Sequence, residues 1–78
     1  MPNTPIVKAK DFYWFLLKYG CISAGTRGSH HKIRNPKTNR TSVIAIHSGK
    51  DVSGGAFQSV LNQLGINIAE FIEFMDKQ

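Results

Sequence analysis

Apolar residues near the start of the chain recur at helical intervals. Phe12, Phe15, Leu16 and Tyr19 fall on one side of a 3.6-residue period, so a helix is expected over residues 8–19. Gly20 sits where a left-handed cap stops such a helix. Trp14 and Leu17 widen the apolar stripe beyond what burial on one side needs, which marks that flank as a candidate partner surface. Residues 1–7 carry Pro2 and Pro5 and show no period, and they read as an extended lead-in.

From Cys21 the period shortens to two. Ile22, Ala24 and Thr26 alternate with Ser23, Gly25 and Arg27, and beyond Gly28 a second strand is expected over residues 29–34. Asn35, Pro36, Lys37, Thr38 and Asn39 are turn formers, and residues 41–47 are rich in β-branched side chains, so a third strand returns from that turn. Residues 48–55 hold three glycines and two serines and read as a loop. Phe57, Val60, Leu61 and Leu64 then resume helical spacing between an N-cap at Ser53 and a stop at Gly65. Asn67, with Glu70 three positions on, caps a last short helix whose apolar side is Ile68, Phe71, Ile72 and Met75. The fold class is therefore α+β: helix, three-stranded antiparallel sheet, helix, short C-terminal helix, in a single domain over residues 1–78. Helices cover one face of the sheet and leave the other open, an order shared with double-stranded-RNA-binding domains.

Alternation sorts the strand side chains. If Ile33 points into the core, Ser29 and His31 go with it, and His30, Lys32 and Arg34 share the open face. If Ile44 and Ile46 point inward on the third strand, Val43, Ala45 and His47 face outward. The arrangement puts an imidazole among cations. Histidine exchanges protons near neutral pH, and flanking positive charge attracts a phosphodiester. In metal-free RNA cleavage the ribose 2′-hydroxyl attacks its own phosphate, which calls for a proton-transfer group within reach and cations for the developing charge. His30, Lys32 and Arg34 supply both kinds, with His47 as a second proton-transfer group or a phosphate contact. The plainer reading is a solvated or packing histidine, and His31 on the inward side reads as a buried, hydrogen-bonded residue.

Composition agrees with a nucleic-acid partner without requiring one. Ten Lys and Arg against five Asp and Glu give a net charge of +5, which favours RNA, DNA or an acidic protein. At 41% hydrophobic and 19% charged the chain is globular, and no apolar run is long enough for a membrane. No secretory leader opens it and its one cysteine cannot form an internal disulfide, so a cytoplasmic location is expected. Residues 48–55 open a helix, where backbone amides favour an anion, and Lys50 lies among them; a flexible connection explains the glycines as well. The stretch is not a P-loop, because the required earlier glycine is missing. Adjacent His30 and His31 face opposite ways and no CxxC or HxxxH spacing occurs, so neither a metal nor a small-molecule cofactor is expected. Cys21 reads as a small apolar filler.

Five segments together resemble the HicA toxin family over nearly the whole chain. They are Lys10-Asp11-Phe12, Lys18-Tyr19-Gly20, Arg27-Gly28-Ser29-His30-His31, His47-Ser48-Gly49-Lys50-Asp51-Val52, and residues 59–66. The resemblance implies a double-stranded-RNA-binding-domain-like fold, metal-independent and ribosome-independent cleavage of messenger RNA through a histidine of the Gly-Ser-His segment, and neutralisation by a HicB-type antitoxin. It lands on Gly28, which permits close backbone approach, and on His30 for proton transfer, with Ser29 between them. His31 is the competing assignment, and strand alternation favours His30. Lys32, Arg34, Lys37 and Lys50 are the expected RNA contacts. Where family members often carry a proline before the later histidine, this chain has Ala45-Ile46-His47. The rival functions are a non-catalytic RNA-binding module and an interaction protein that docks an acidic partner.

Overall fold

The computed structural model describes residues 5–78. In chain order the elements are β1 (Val7–Lys8), α1 (Ala9–Tyr19), β2 (Ile22–Arg27), β3 (His30–Asn35), β4 (Arg40–Ala45), β5 (Asp51–Val52), α2 (Gly54–Leu64) and α3 (Ile68–Asp76). Strands β2, β3 and β4 form an antiparallel meander with β3 in the middle. The result is the expected double-stranded-RNA-binding-domain-like α+β architecture.

Periodicity left one element unseen. Val7 and Lys8 pair antiparallel with Asp51 and Val52 in a small second sheet. The expected lead-in therefore ends in a strand, α1 starts at Ala9, and the glycine-rich loop contains β5; residues 1–4 of the lead-in lie outside the described residues. Two-residue strands show no alternation to read, and their pairing joins segments distant in sequence. The backbone amide of Ala9 donates to the carbonyl of Lys50 at 3.0 Å, which fixes the start of α1 against the same loop. The third strand is shorter than expected because β3 begins at His30. The Ser29 backbone carbonyl accepts from the Ile46 amide at 2.8 Å, and His47 lies beyond the pairing.

The core is where the two periods meet. Phe12 and Leu16 of α1, Ile33 and Ile44 of the sheet, Phe57, Leu61 and Leu64 of α2, and Phe71 of α3 are buried together. Phe12 stacks on Phe57 at 4.9 Å between ring centroids and meets Phe71 edge-on at 5.9 Å, both favourable aromatic geometries. Helices end where glycine was expected to end them, at Gly20 and Gly65, and Ser53 and Asn67 cap α2 and α3 through their side-chain oxygens.

The turn between β3 and β4 is locked to α2. Asn35 is buried, its amide donates to the Leu64 carbonyl at 2.9 Å, and its oxygen accepts from the Lys37 amide at 3.1 Å. Thr38 donates to the same Leu64 carbonyl at 2.7 Å. These bonds satisfy an orphan carbonyl at the end of α2 and fix one end of the sheet. The other end, at Gly28 and Ser29, carries the candidate site.

Candidate functional site

Strand register lays out the open face as three cross-strand rows. Ile22, Arg34 and Thr41 form one; Gly25, Lys32 and Val43 form the middle one; Arg27, His30 and Ala45 form the row nearest the β2–β3 turn. His30, Lys32 and Arg34 therefore share this face, as alternation on β3 required. His30 and Lys32 are exposed, and Arg34 is half-buried with one guanidinium nitrogen 3.2 Å from the side-chain oxygen of Asn39.

Arg27 joins this face because β2 is irregular. Its pairing with β3 shifts between Ser23 and Gly25, so Ala24 is an extra residue, a β-bulge. Strict alternation would send Ile22 and Arg27 to opposite faces. The bulge returns both to the open one, with Arg27 directly across from His30. Simple counting misses Arg27, yet a signal is present: an isolated glycine inside a strand pattern marks a bulge, and Gly25 has φ of +125°. Gly28, at φ +59°, supplies the left-handed residue that lets a two-residue turn join Arg27 to His30.

His31 faces the helices. Its row holds Thr26 and Ile44, its Nδ1 lies 3.4 Å from the Thr26 hydroxyl, and its ring packs on Tyr13 of α1 at 5.1 Å. It is half-buried rather than fully buried, because β2 is exposed along its whole length. The two adjacent histidines thus have different surroundings: His30 stands among cations and His31 is held between a hydroxyl and an aromatic ring.

A shallow cavity of about 480 Å³ lies on the open face, lined by Gly25, Arg27, His30, Lys32 and Val43 among others. A second group of side chains gathers beyond β4. His47, Ser48, Gly49 and Lys50 meet Lys8, Lys10 and Asp11 at the start of α1, with the Lys50 amide donating to the His47 carbonyl at 3.1 Å. His47 is exposed and follows Ala45, the register partner of His30, by two residues. Lys37 stands apart. It lies in the β3–β4 turn, at the end of the sheet opposite Arg27 and His30. Among the described residues, no three His, Cys, Asp or Glu side chains gather as a metal-binding group.

Two other sequence features have clear settings. Trp14 is half exposed, Lys18 lies over its ring at 4.4 Å, and Leu17 and Tyr13 continue the apolar patch toward Lys10 and Asp11. Cys21 is buried at the exit from α1, and burial pushes its thiol above the ordinary range. Tyr19 is also raised, first by desolvation and then by the nearby charges of Glu70 and Cys21. Neither group adjoins the open face. No helix among the described residues is long and apolar enough to cross a membrane.

Compared with known families, residues 9–66 match the model described as the HicA toxin of bacterial toxin-antitoxin. The match runs from the start of α1 to just past α2 and leaves α3 outside. No curated protein matches the chain.

Proposed function

The chain belongs to the HicA toxin family, and from that membership we propose that it is an endoribonuclease that cleaves messenger RNA through His30 and is neutralised by a HicB-type antitoxin. The observation that carries this reading is the position of His30. It is exposed at the rim of a cavity on the open face, with Arg27 directly across the hairpin and Lys32 in the next row.

The chemistry that suits these groups is transesterification within the RNA. A 2′-hydroxyl loses its proton to a base, its oxygen bonds to the adjacent phosphorus, and the bond from phosphorus to the 5′-oxygen breaks as that oxygen takes up a proton. The products are a 2′,3′-cyclic phosphate and a 5′-hydroxyl. His30 serves as a proton-transfer group, and Arg27 and Lys32 offset the negative charge that grows on the phosphoryl oxygens. Ser29 and Gly28 form the turn that holds Arg27 and His30 opposite each other. His47 and Lys50, with Lys8, present a second basic group suited to a neighbouring phosphate. His31 is a positioning residue in this account, since its partners are Thr26 and Tyr13 on the helix side.

An antitoxin needs a surface to bind, and the chain offers its basic open face and the Trp14 flank of α1. The proposal is tested by incubating the purified chain with RNA in the presence of a chelator, beside His30→Ala. The expected result is cleavage by the first protein and none by a folded, RNA-binding second. RNA that binds with salt-sensitive affinity and stays whole in both cases points instead to a non-catalytic RNA-binding module.

A further inference from the structure

We infer that the cavity beside His30 is a subsite for one unstacked nucleobase, seated on Val43 and the backbone of Gly25, with the flanking phosphates held by Arg27 and Lys32. The inference rests on the endoribonuclease reading and adds how the substrate is held.

The middle row of the open face mixes an apolar side chain with a cation. Val43 is 50% exposed beside Lys32, its cross-strand partner, on the face that has no helix over it. A cavity for phosphate alone needs only the cations. An exposed aliphatic side chain beside them offers a surface for the flat face of a ring, which a base provides and a phosphate does not.

Gly25 lies across Lys32 from Val43 in the same row. A Cβ built on it meets nothing within 4 Å, so the space above this strand is open and the floor there is bare backbone. The bulge at Ala24 and the positive φ of Gly25 produce that floor together, and the same bulge turns Arg27 toward His30. One irregularity thus shapes both the floor and its charged rim.

Attack by a 2′-oxygen requires that oxygen, the phosphorus and the departing 5′-oxygen to lie nearly in line. A regularly stacked strand does not offer this alignment, so the nucleotide at the cut must leave its stack. Enzymes that do chemistry on a base hold the extruded base in a fitted pocket, and a base freed at a cut strand likewise needs a surface to rest on. The shallow cavity of about 480 Å³ adjoins the proposed proton-transfer group.

The test uses methyl NMR on the intact protein, titrated separately with a nucleoside 5′-monophosphate and with ribose 5-phosphate, which has the same phosphate and sugar but no base. The Val43 methyl signals are expected to shift saturably with the nucleotide and to stay in place with ribose 5-phosphate. Val43→Gln is expected to weaken nucleotide binding about tenfold and leave ribose 5-phosphate binding unchanged. Its Ile33 and Ile44 methyl signals report that it is folded. Equal responses to the two ligands, or Val43 signals unmoved by either, overturn the subsite. Protein that leaves RNA intact yet shows the base-dependent shift overturns the catalytic reading and supports the subsite. Protein that cleaves RNA with no such shift does the reverse.

Discussion

Arg27 and His30 close the β2–β3 hairpin as a directly opposed pair, with only Gly28 and Ser29 between them and both side chains on the open face of the sheet. Opposed residues on adjacent strands hold their Cβ atoms about 5 Å apart, so a phosphate reached by one is within reach of the other. Arg27→Ala is therefore expected to weaken RNA binding about tenfold, uniformly across sequences, and to reduce the salt slope by about one. Lys37→Ala, at the far end of the sheet, leaves the slope nearly unchanged. Fluorescence titrations at several salt concentrations measure both.

The two histidines separate by their contacts. His31→Ala loses the Thr26 hydroxyl and the Tyr13 ring, and is expected to lower unfolding free energy by about 1 kcal/mol while most cleavage survives. His30→Ala, on the exposed face, is expected to change stability by less than about 0.5 kcal/mol and to abolish cleavage. Urea denaturation and an RNA assay on both variants check the pattern, and a reversed pattern places the chemistry at His31.

Gly65 is constrained from two directions. It has φ of +71°, and a Cβ there would lie 2.8 Å from Cγ2 of Thr38, whose hydroxyl bonds the Leu64 carbonyl. Gly65→Ala is expected to cost about 1–2 kcal/mol, read by calorimetry as a melting temperature lower by roughly 5–10 °C. RNA cleavage at low temperature should persist, because the strained end of the sheet is the one away from His30.

Cys21 should be inert in the folded protein. It is buried, and burial disfavours its thiolate. Iodoacetamide at pH 8 is expected to modify it at least tenfold more slowly than after denaturation. Because its folded-state value is raised, its contribution to stability is complete below the ordinary thiol value and is lost as pH climbs through the raised one. Unfolding free energy should therefore decline on the alkaline side.

The helices, their caps and the three long strands were legible because each carries a local signal. Phe12 and Leu16 mark a period, Gly20 and Gly65 mark ends, and Ser53 and Asn67 mark beginnings. Alternation on β3 placed His30 and Lys32 together because that strand is regular. It failed on β2, where the extra Ala24 changes the parity and brings Arg27 into the site. The β1–β5 pair was illegible for another reason: two residues cannot display a pattern, and only the fold brings Val7 to Val52. Lys37 carries the same charge as the other expected RNA contacts, and charge holds no information about which end of a hairpin a residue occupies.

Proton transfer by His30 in metal-free RNA cleavage leaves its mark on the ends of the RNA fragments. Labelled RNA is incubated with the purified chain and with His30→Ala in a chelating buffer, and the new termini are identified by mass spectrometry. The expected products are 2′,3′-cyclic phosphate and 5′-hydroxyl ends from the first protein and none from the second, with both binding RNA comparably. Fragments ending in 5′-phosphate, or undiminished cleavage by His30→Ala, would contradict it.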